Sequence, residues 1–228
     1  MGLVAGGAMV PHEVSAASAP VADVAARVAA QNKLLDEQWQ HTLKNAPEFA
    51  TILGDLRYND RLSDLSLAHA REEYRWTGDF LHRFQAIDTQ GFSDNDKLNH
   101  ELMVRQLKDA MRAHELKLDE MPLDQMNGIH LQLAGFISSI PFDNTKEYED
   151  YLARLKAVPA AFDQVADVAR QGLRDRMMPP KYLLEAVVKQ IDAIGKPAGM
   201  DSVFAEPLKH FPASVSAADQ ARLKQVIL

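Results

Sequence analysis

The sequence predicts an all-α fold, an irregular bundle of helices that differ in length. Apolar residues recur at three- and four-residue steps over long stretches, which is typical of the buried face of an amphipathic helix. No stretch alternates apolar and polar residues for long enough to indicate a strand. Prolines, glycines and capping residues divide the helical stretches at unequal intervals, so a solenoid of equal repeats is disfavoured.

The first predicted helix carries an apolar stripe from Val24 to Leu43 and is interrupted at residues 45–47, Asn-Ala-Pro. One short helical turn follows at 48–53. Residues 54–62 are charged and rich in turn-forming types, so we interpret them as a connecting segment.

Two further helices precede the middle of the chain. Ser66 is a suitable N-cap for a helix that we expect to run to about Ile87. Ser93 and Asp96 resemble a capping box, and we expect the helix that they open to end at Pro122.

The helical period breaks at residues 119–142, which contain Pro122, Gly128 and Pro141. The stretch is also rich in apolar residues, which argues against disorder. A connection of this length inside a compact domain is usually functional when it is ordered. We therefore expect a long central loop segment that the surrounding helices hold in place.

Three helices are predicted in the remainder. The first begins at Thr145 and is restarted or kinked at Pro159, and Pro179 is expected to halt it. The next covers 181–194, and the last begins near Ser216 and runs to the end of the chain. That last helix ends without a cap, so we expect the chain to be the N-terminal part of a larger helical protein.

Composition excludes several functional classes. The net charge of −7 makes nucleic acid or an anionic membrane surface an unlikely partner, since both are bound through clustered Lys and Arg. The absence of cysteine excludes disulfides, thiolate metal sites and a cysteine nucleophile. No apolar run approaches the ~20 residues needed to span a bilayer.

Residues 1–19 have the character of processing sequence rather than of a folded segment. A short apolar run from Leu3 to Val10 precedes small residues at 15–19 that resemble a signal-peptide cleavage site. The alternative is a disordered N-terminus. We expect export from the cytoplasm, and we expect residues 20–228 to be the N-terminal helical portion of a larger domain that is truncated at its C-terminus.

The sequence predicts no catalytic residue and no metal ligand. It contains neither a Gly-x-Ser-x-Gly elbow nor a His-Glu-x-x-His motif. His69 and Glu73 are one helical turn apart, but among charged neighbours such a pair is more often a solvated ion pair than a metal site. His114 lies on an apolar stripe, so we interpret it as a core histidine with satisfied hydrogen bonds.

The candidate binding residues lie in the central stretch. Gly128 permits close approach of a ligand to the backbone, and Gln125, Asn127 and His130 can both donate and accept hydrogen bonds. Such a set suits a peptide-like substrate. The alternative is that these side chains cap the ends of neighbouring helices.

Several segments together resemble the bacterial family known as domain of unknown function 885. They are GDLRYNDRLSDLS (54–66), PLDQMNGIHLQL (122–133), PFDNTKEYEDYLARLKAVP (141–159), MPPKYLLEAVVKQID (178–192) and FPASVSAADQARL (211–223). Members of this family look like exported helical zinc metallopeptidases. The resemblance implies a peptide substrate and, for the full-length family, a zinc cofactor.

The resemblance also implies what this chain lacks. In the family, the metal-binding His-Glu segment and a following Pro-Gly-His lie downstream of everything that matches here, and no position of this sequence corresponds to them. We therefore expect the chain to form one wall of a substrate cleft and to pack against its own C-terminal half. The alternative is a stand-alone helical module that binds or scaffolds without catalysis.

Overall fold

A computed structural model describes residues 21–228, which form helices and contain no strand within that range. The predicted all-α fold is confirmed. The predicted processing sequence at 1–19 lies outside the described residues. The α-helices are α1 (Val21–Asn45), α2 (Pro47–Ile52), α3 (Leu67–Gln85), α4 (Asp94–Glu115), α5 (Ile129–Phe136), α6 (Thr145–Asp175), α7 (Lys181–Gly195) and α8 (Ala217–Ile227).

Serine caps fix the starts of three helices, as the sequence predicts. The hydroxyl oxygens of Ser66 and Ser93 accept hydrogen bonds from the amides of His69 and Asp96 at α3 and α4. Ser216 caps α8 through the amide of Asp219 in the same way. Each cap satisfies an amide that has no partner within the first turn of its helix.

Helices α1, α3 and α4 share an aromatic core. Phe80 and Phe84 of α3 are fully buried and pack against Leu107 of α4, with Leu34 and Leu35 of α1 at the edge of the cluster. These positions follow the three- and four-residue spacing of amphipathic helices. This part of the molecule supports α3, whose first turn lies close to the groove described below.

The expected end of α4 at Pro122 is wrong, because the helix ends at Glu115. Lys117 adopts a left-handed backbone conformation with φ 59°, and residues Leu118–Glu120 form a 3₁₀-helix. A left-handed residue terminates an α-helix because its carbonyl and amide no longer point along the helix axis.

The central stretch is also more helical than its sequence predicts. Residues 129–136 form α5 and Ile137–Ser139 form a 3₁₀-helix, so the loop is limited to residues 121–128 and 140–144. Ile129, Leu133 and Phe136 are buried at helical spacing. Their burial against α6 stabilises a helix of only eight residues, which would not persist alone.

Helix α6 continues through Pro159, where the sequence predicts a kink or a restart. A proline removes one backbone hydrogen bond of the helix. Packing on both sides offsets this loss, since Tyr151 precedes the proline and Val165 follows it in buried clusters. The helix ends at Asp175, where Arg176 takes a left-handed conformation, rather than at the prolines 179 and 180.

The C-terminal segment closes over the N-terminal half of α6. Tyr148 is fully buried with Leu208 and Leu223, and its hydroxyl donates to the carbonyl oxygen of Pro207 at 3.2 Å. The hydroxyl of Tyr151 donates to the carbonyl oxygen of Phe204 at 2.8 Å. These bonds anchor the 3₁₀-helix Val203–Leu208 to α6.

No helix among residues 21–228 is both long enough and apolar enough to cross a membrane.

Candidate functional site

An open cavity of about 410 Å³ lies between α2, the extended segment 62–65 and α5, with α6 as its floor. We call it the apolar cavity, because most of its lining atoms are carbon. Its lining includes Phe49, Ile52, Leu62, Leu133, Phe136 and Ala161. Glu48, Ser63, Gln132 and Ser139 add polar groups at its edge.

A second cavity of about 330 Å³ lies beside the first. We call it the polar cavity, because Asp64, Ser66, His69, Asp119, Asn127 and Gln132 contribute to its lining. Leu65, Ile129 and Gln132 line both cavities. The two cavities are therefore neighbours, and we call them together the groove.

Gln132 stands at the junction of the two cavities. It is an exposed residue at the edge of the buried face of α5 that Ile129 and Leu133 form. Within the described residues its side-chain amide has no hydrogen-bond partner. A free side-chain amide offers both donors and an acceptor, which is the complement of a peptide group.

Hydrogen bonds hold the extended segment that forms one side of the groove. The carboxylate of Glu48 accepts from the amide of Ser63 at 3.0 Å and from its hydroxyl at 2.6 Å. Further along, the amide of Leu65 donates to Gln164 Oε1 of α6 at 2.9 Å. These hydrogen bonds fix the position of this side of the groove.

Arg154 of α6 fixes the start of this segment from below. The residue is 2 % exposed, and its guanidinium donates to the carbonyl oxygen of Arg61, to Asn59 Oδ1 and to Thr51 Oγ1. It also donates to the carbonyl oxygens of Pro47 and Tyr58. Burial lowers the pKa of Arg154 to about 10, so the side chain remains charged at neutral pH.

Two carboxylates give the polar cavity its charge. Burial opposes the ionisation of Asp64, but hydrogen bonds from Ser66 and the proximity of His69 outweigh it and hold the pKa of Asp64 below its usual value. Asp119 Oδ2 lies 2.8 Å from Nδ1 of His114. The residues that line the two cavities include no Lys or Arg.

Asn127 and Gly128, two of the four predicted binding residues, line the polar cavity. The side chain of Asn127 donates to both carboxylate oxygens of Asp124, and this bond lowers the pKa of Asp124. Gly128 precedes α5 with φ 138°, where an added Cβ would lie 2.5 Å from Cδ2 of Leu123. The glycine is therefore required by the turn itself.

Gln125 and His130, the other two predicted residues, line neither cavity. His130 is 3 % exposed, and its Nε2 lies 3.1 Å from Oε1 of Gln190 on α7. The amide of the same Gln190 donates to the carbonyl oxygen of Gln125 at 2.9 Å. Both residues thus connect the central stretch to α7.

Sequence reasoning missed Gln132, Asp64 and Asp119. Asp64 and Asp119 are separated in the chain, and only the packing of α5 and α6 brings them to one cavity. For Gln132 a signal exists once α5 is known to be helical, because an exposed polar residue then borders the buried face of Ile129 and Leu133.

The sequence-based interpretation of His69 and Glu73 as a solvated ion pair requires correction. Glu73 faces α1, where its carboxylate accepts from Nε2 of His41 at 2.9 Å and from Asn45 at 3.2 Å. His69 Nε2 is 3.9 Å from the same carboxylate. All four residues, His41, Asn45, His69 and Glu73, are half-buried between α1 and α3.

His114 also differs from expectation, since it is not a core residue. Its side chain is 31 % exposed and stacks on the ring of Tyr74 at 4.4 Å between centroids. The end of α4 at Glu115 leaves this position near solvent and beside Asp119.

No group of three or more His, Asp or Glu side chains within residues 21–228 has an arrangement suited to a metal ion. The closest constellation is that of His41, Glu73 and His69, and Glu73 already accepts hydrogen bonds there. A structural or catalytic zinc site needs three or four protein ligands of defined geometry. The described residues thus do not fit the zinc that the resemblance implies.

The fold and the site define an all-α protein with a surface groove that consists of the apolar cavity and the polar cavity. Residues 47–228 match the model of a family described as "Bacterial protein of unknown function (DUF885)", and the chain belongs to that family. Ala46 is the one groove-lining residue outside the matched range. No curated protein matches the chain.

Proposed function

We propose that the chain is the helical, substrate-binding portion of a zinc-dependent peptidase, and that its groove binds an extended peptide. The observation that carries the proposal is that two neighbouring cavities share Gln132 in their linings. A ligand that places side chains in both cavities passes its backbone across this free amide. The apolar cavity, at about 410 Å³, is within the size range of ligand pockets.

The chain's own contribution in this proposal is to bind and orient the substrate. Apolar side chains of the peptide are removed from water when they enter the cavity lined by Phe49, Leu133 and Phe136. The side-chain amide of Gln132 forms hydrogen bonds with a peptide group of the substrate, and these bonds offset the cost of removing the amide from water. A bound zinc would supply a water molecule of lowered pKa, and the described residues do not provide its site.

A cavity-blocking variant tests the binding. An added Cβ at Gly135, which lines the apolar cavity, meets no atom within 4 Å, so Gly135→Phe should fold and fill the opening. Gly195→Phe is the matched control, because its Cβ also meets no atom and it lies outside the groove. The probe is a set of fluorophore-labelled, end-blocked pentapeptides with Leu or Phe at the centre, followed by anisotropy.

The expected result is saturable binding that Gly135→Phe reduces at least tenfold and Gly195→Phe leaves within twofold. Absence of binding, or equal binding by both variants, contradicts the proposal. Hydrolysis is tested on a zinc-loaded family member with the same peptides by mass spectrometry. Cleavage that is lost when the glycine corresponding to Gly135 is replaced by phenylalanine supports a peptidase. Binding without any cleavage supports a non-catalytic binding module.

A further inference from the structure

Helix α7 carries two apolar stripes, and the second of them is largely open to solvent. The first stripe faces α5 and includes the buried Val187. The second stripe lies beside it and consists of Leu184, Val188 and Ile191, which recur at steps of four and three residues. Val188 is 60 % exposed and Ile191 is 38 % exposed.

The spacing of the second stripe is the one that allows two helices to pair along their length. Steps of four and three residues place apolar side chains along one line, as in the contact line of a coiled coil. A single exposed apolar residue needs no explanation, whereas several in one line on a well-ordered helix mark an interaction surface.

Charged residues of alternating sign border the second stripe. Lys181, Glu185, Lys189 and Asp192 are exposed, and they lie on one side of the helix next to the stripe because an α-helix turns about 100° per residue. Nζ of Lys181 lies 3.6 Å from Oε1 of Glu185, and Asp192 pairs with Lys196 at 3.4 Å. Such exposed pairs within one helix are weak, so their members are free to pair elsewhere.

We propose that α7 pairs with the α7 of a second copy of this chain, in antiparallel orientation, around a two-fold axis at the level of residue 187. In this register Glu185 lies opposite the partner's Lys189, and Lys181 lies within one residue of the partner's Asp192. Each of these contacts occurs twice by symmetry. The second stripes of the two copies meet between them, with Leu184 within one residue of the partner's Ile191.

The order of the charges selects the antiparallel orientation. In a parallel pair, equal residues lie at the same height, so Lys181 would face the partner's Lys181 and Glu185 the partner's Glu185. Like charges that face each other oppose association, and opposite charges favour it. The antiparallel register brings opposite charges together at all four positions.

The pairing surface is separate from the groove. No residue of α7 lines the apolar cavity or the polar cavity. The pairing therefore stands or falls independently of peptide binding.

Sedimentation equilibrium of the chain measures the association. Two helices of 15 residues form a small interface, so we expect a dissociation constant on the order of 10 µM. Val188→Glu should weaken the association by about tenfold or more, because it places a charge in the centre of the contact. Leu102→Glu is the matched control, since Leu102 is 54 % exposed on α4, and it should stay within about twofold. A chain that stays monomeric up to about 500 µM, or equal association of the two variants, overturns the inference.

Charge exchange tests the register. Lys181→Glu and Asp192→Lys should each weaken association by about three- to tenfold at low ionic strength, because each variant alone brings like charges together. An equimolar mixture of the two variants forms a heterodimer in which both contacts have opposite charges again. The mixture should therefore associate about as tightly as the wild type. No gain on mixing overturns the inference.

Cysteine substitution tests the orientation, because the chain contains no cysteine of its own. Residue 188 lies next to the proposed axis, so Val188→Cys should form a disulfide-linked dimer under mild oxidation. Gly195→Cys has room for its side chain, but in the antiparallel register the two copies of residue 195 are about 24 Å apart along the helices. This variant should not cross-link. Cross-linking at both positions indicates parallel pairing, and either that result or no cross-link at residue 188 overturns the inference.

Discussion

Nε of Arg154 lies 2.7 Å from the backbone oxygen of Arg61, so a residue in the middle of α6 fixes the chain where it enters the groove. The guanidinium donates to carbonyl, amide and hydroxyl oxygens, and its Cζ lies over the ring of Phe136 at 4.8 Å from the centroid. The charges of Glu48, Asp60 and Asp150 favour its protonated form. Phe136 lines the apolar cavity. One buried cation therefore supports two sides of the same site.

Arg154→Met should strongly destabilise the fold. The variant keeps apolar volume but leaves several buried oxygens without their donor, and we expect a loss of about 3 kcal/mol or more in the free energy of unfolding. Urea denaturation measures it. Arg105→Met is the control, because the Arg105 side chain is 81 % exposed, and its effect should stay below about 0.5 kcal/mol. Similar losses in both variants would contradict the role assigned to Arg154.

His100 should make stability depend on pH. Burial lowers the pKa of His100, whose Nδ1 lies 3.0 Å from Oε1 of the fully buried Gln31. The folded state therefore favours the neutral imidazole. The resulting stability is complete above the unfolded value of about 6.5 and is lost as the pH falls from there through the lower folded pKa.

The measurement is the free energy of unfolding between pH 8 and pH 5 for the wild type and for His100→Gln. The wild type should lose more stability over this interval than the variant does. Nuclear magnetic resonance titration of the His100 ring should give a pKa below the peptide value. A curve for the variant that parallels the wild type would exclude His100 as the source.

Two glycine-to-alanine substitutions should have opposite signs. At Gly172 a Cβ would lie 2.3 Å from the carbonyl oxygen of Glu120, so Gly172→Ala forces α6 away from the 3₁₀-helix Leu118–Glu120 and should cost about 1–3 kcal/mol. At Gly78, inside α3, the nearest atom is Cε of Met111 at 3.6 Å. Gly78→Ala should stabilise by about 0.5–1 kcal/mol, because alanine favours the helix. Thermal denaturation measures the melting temperatures of both variants. A shift in the same direction for both variants would contradict the prediction.

Asn127→Ala and His130→Ala should separate binding from stability. Removal of the buried His130 ring leaves a small void and an unpaired Gln190 Oε1, and should cost about 2 kcal/mol of stability. Asn127 is exposed and its loss should cost less than about 1 kcal/mol. In the peptide assay, Asn127→Ala should lose more peptide affinity, relative to its loss in the free energy of unfolding, than His130→Ala does. A stable His130→Ala protein with impaired binding would reverse this assignment.

The sequence predicted the helices whose starts are determined by residues within the first turn. Ser66, Ser93 and Ser216 mark helix starts through a hydroxyl that acts within one turn, and α7 begins directly after Pro180 as proline chemistry favours. The short α5 has no such signal, since its N-cap is Gly128 without a side-chain bond. Its stability comes from burial against α6, which a local pattern does not contain.

The residues that line the groove could be predicted from the sequence less well than the helices. Loop position and polar character led to the prediction of Asn127 and Gly128, which line the polar cavity, and of His130, which is buried and lines neither cavity. The binding role of these residues stays a prediction. Leu65, Ile129 and Ala161 come together only in three dimensions. Arg154 could not be recognised either, because arginine is almost never fully buried unless its donors are paired.

Because α6 is long, it contributes residues to several buried clusters at once. Its Tyr148, Tyr151 and Val165 belong to three different buried clusters, and Arg154 between them holds the entrance to the groove. The three clusters around these residues each lose a member without α6, whereas the aromatic core of α1, α3 and α4 contains none of its residues. Exchange of parts between relatives by recombination must therefore carry α6 whole, together with both of the surfaces that it has come to fit.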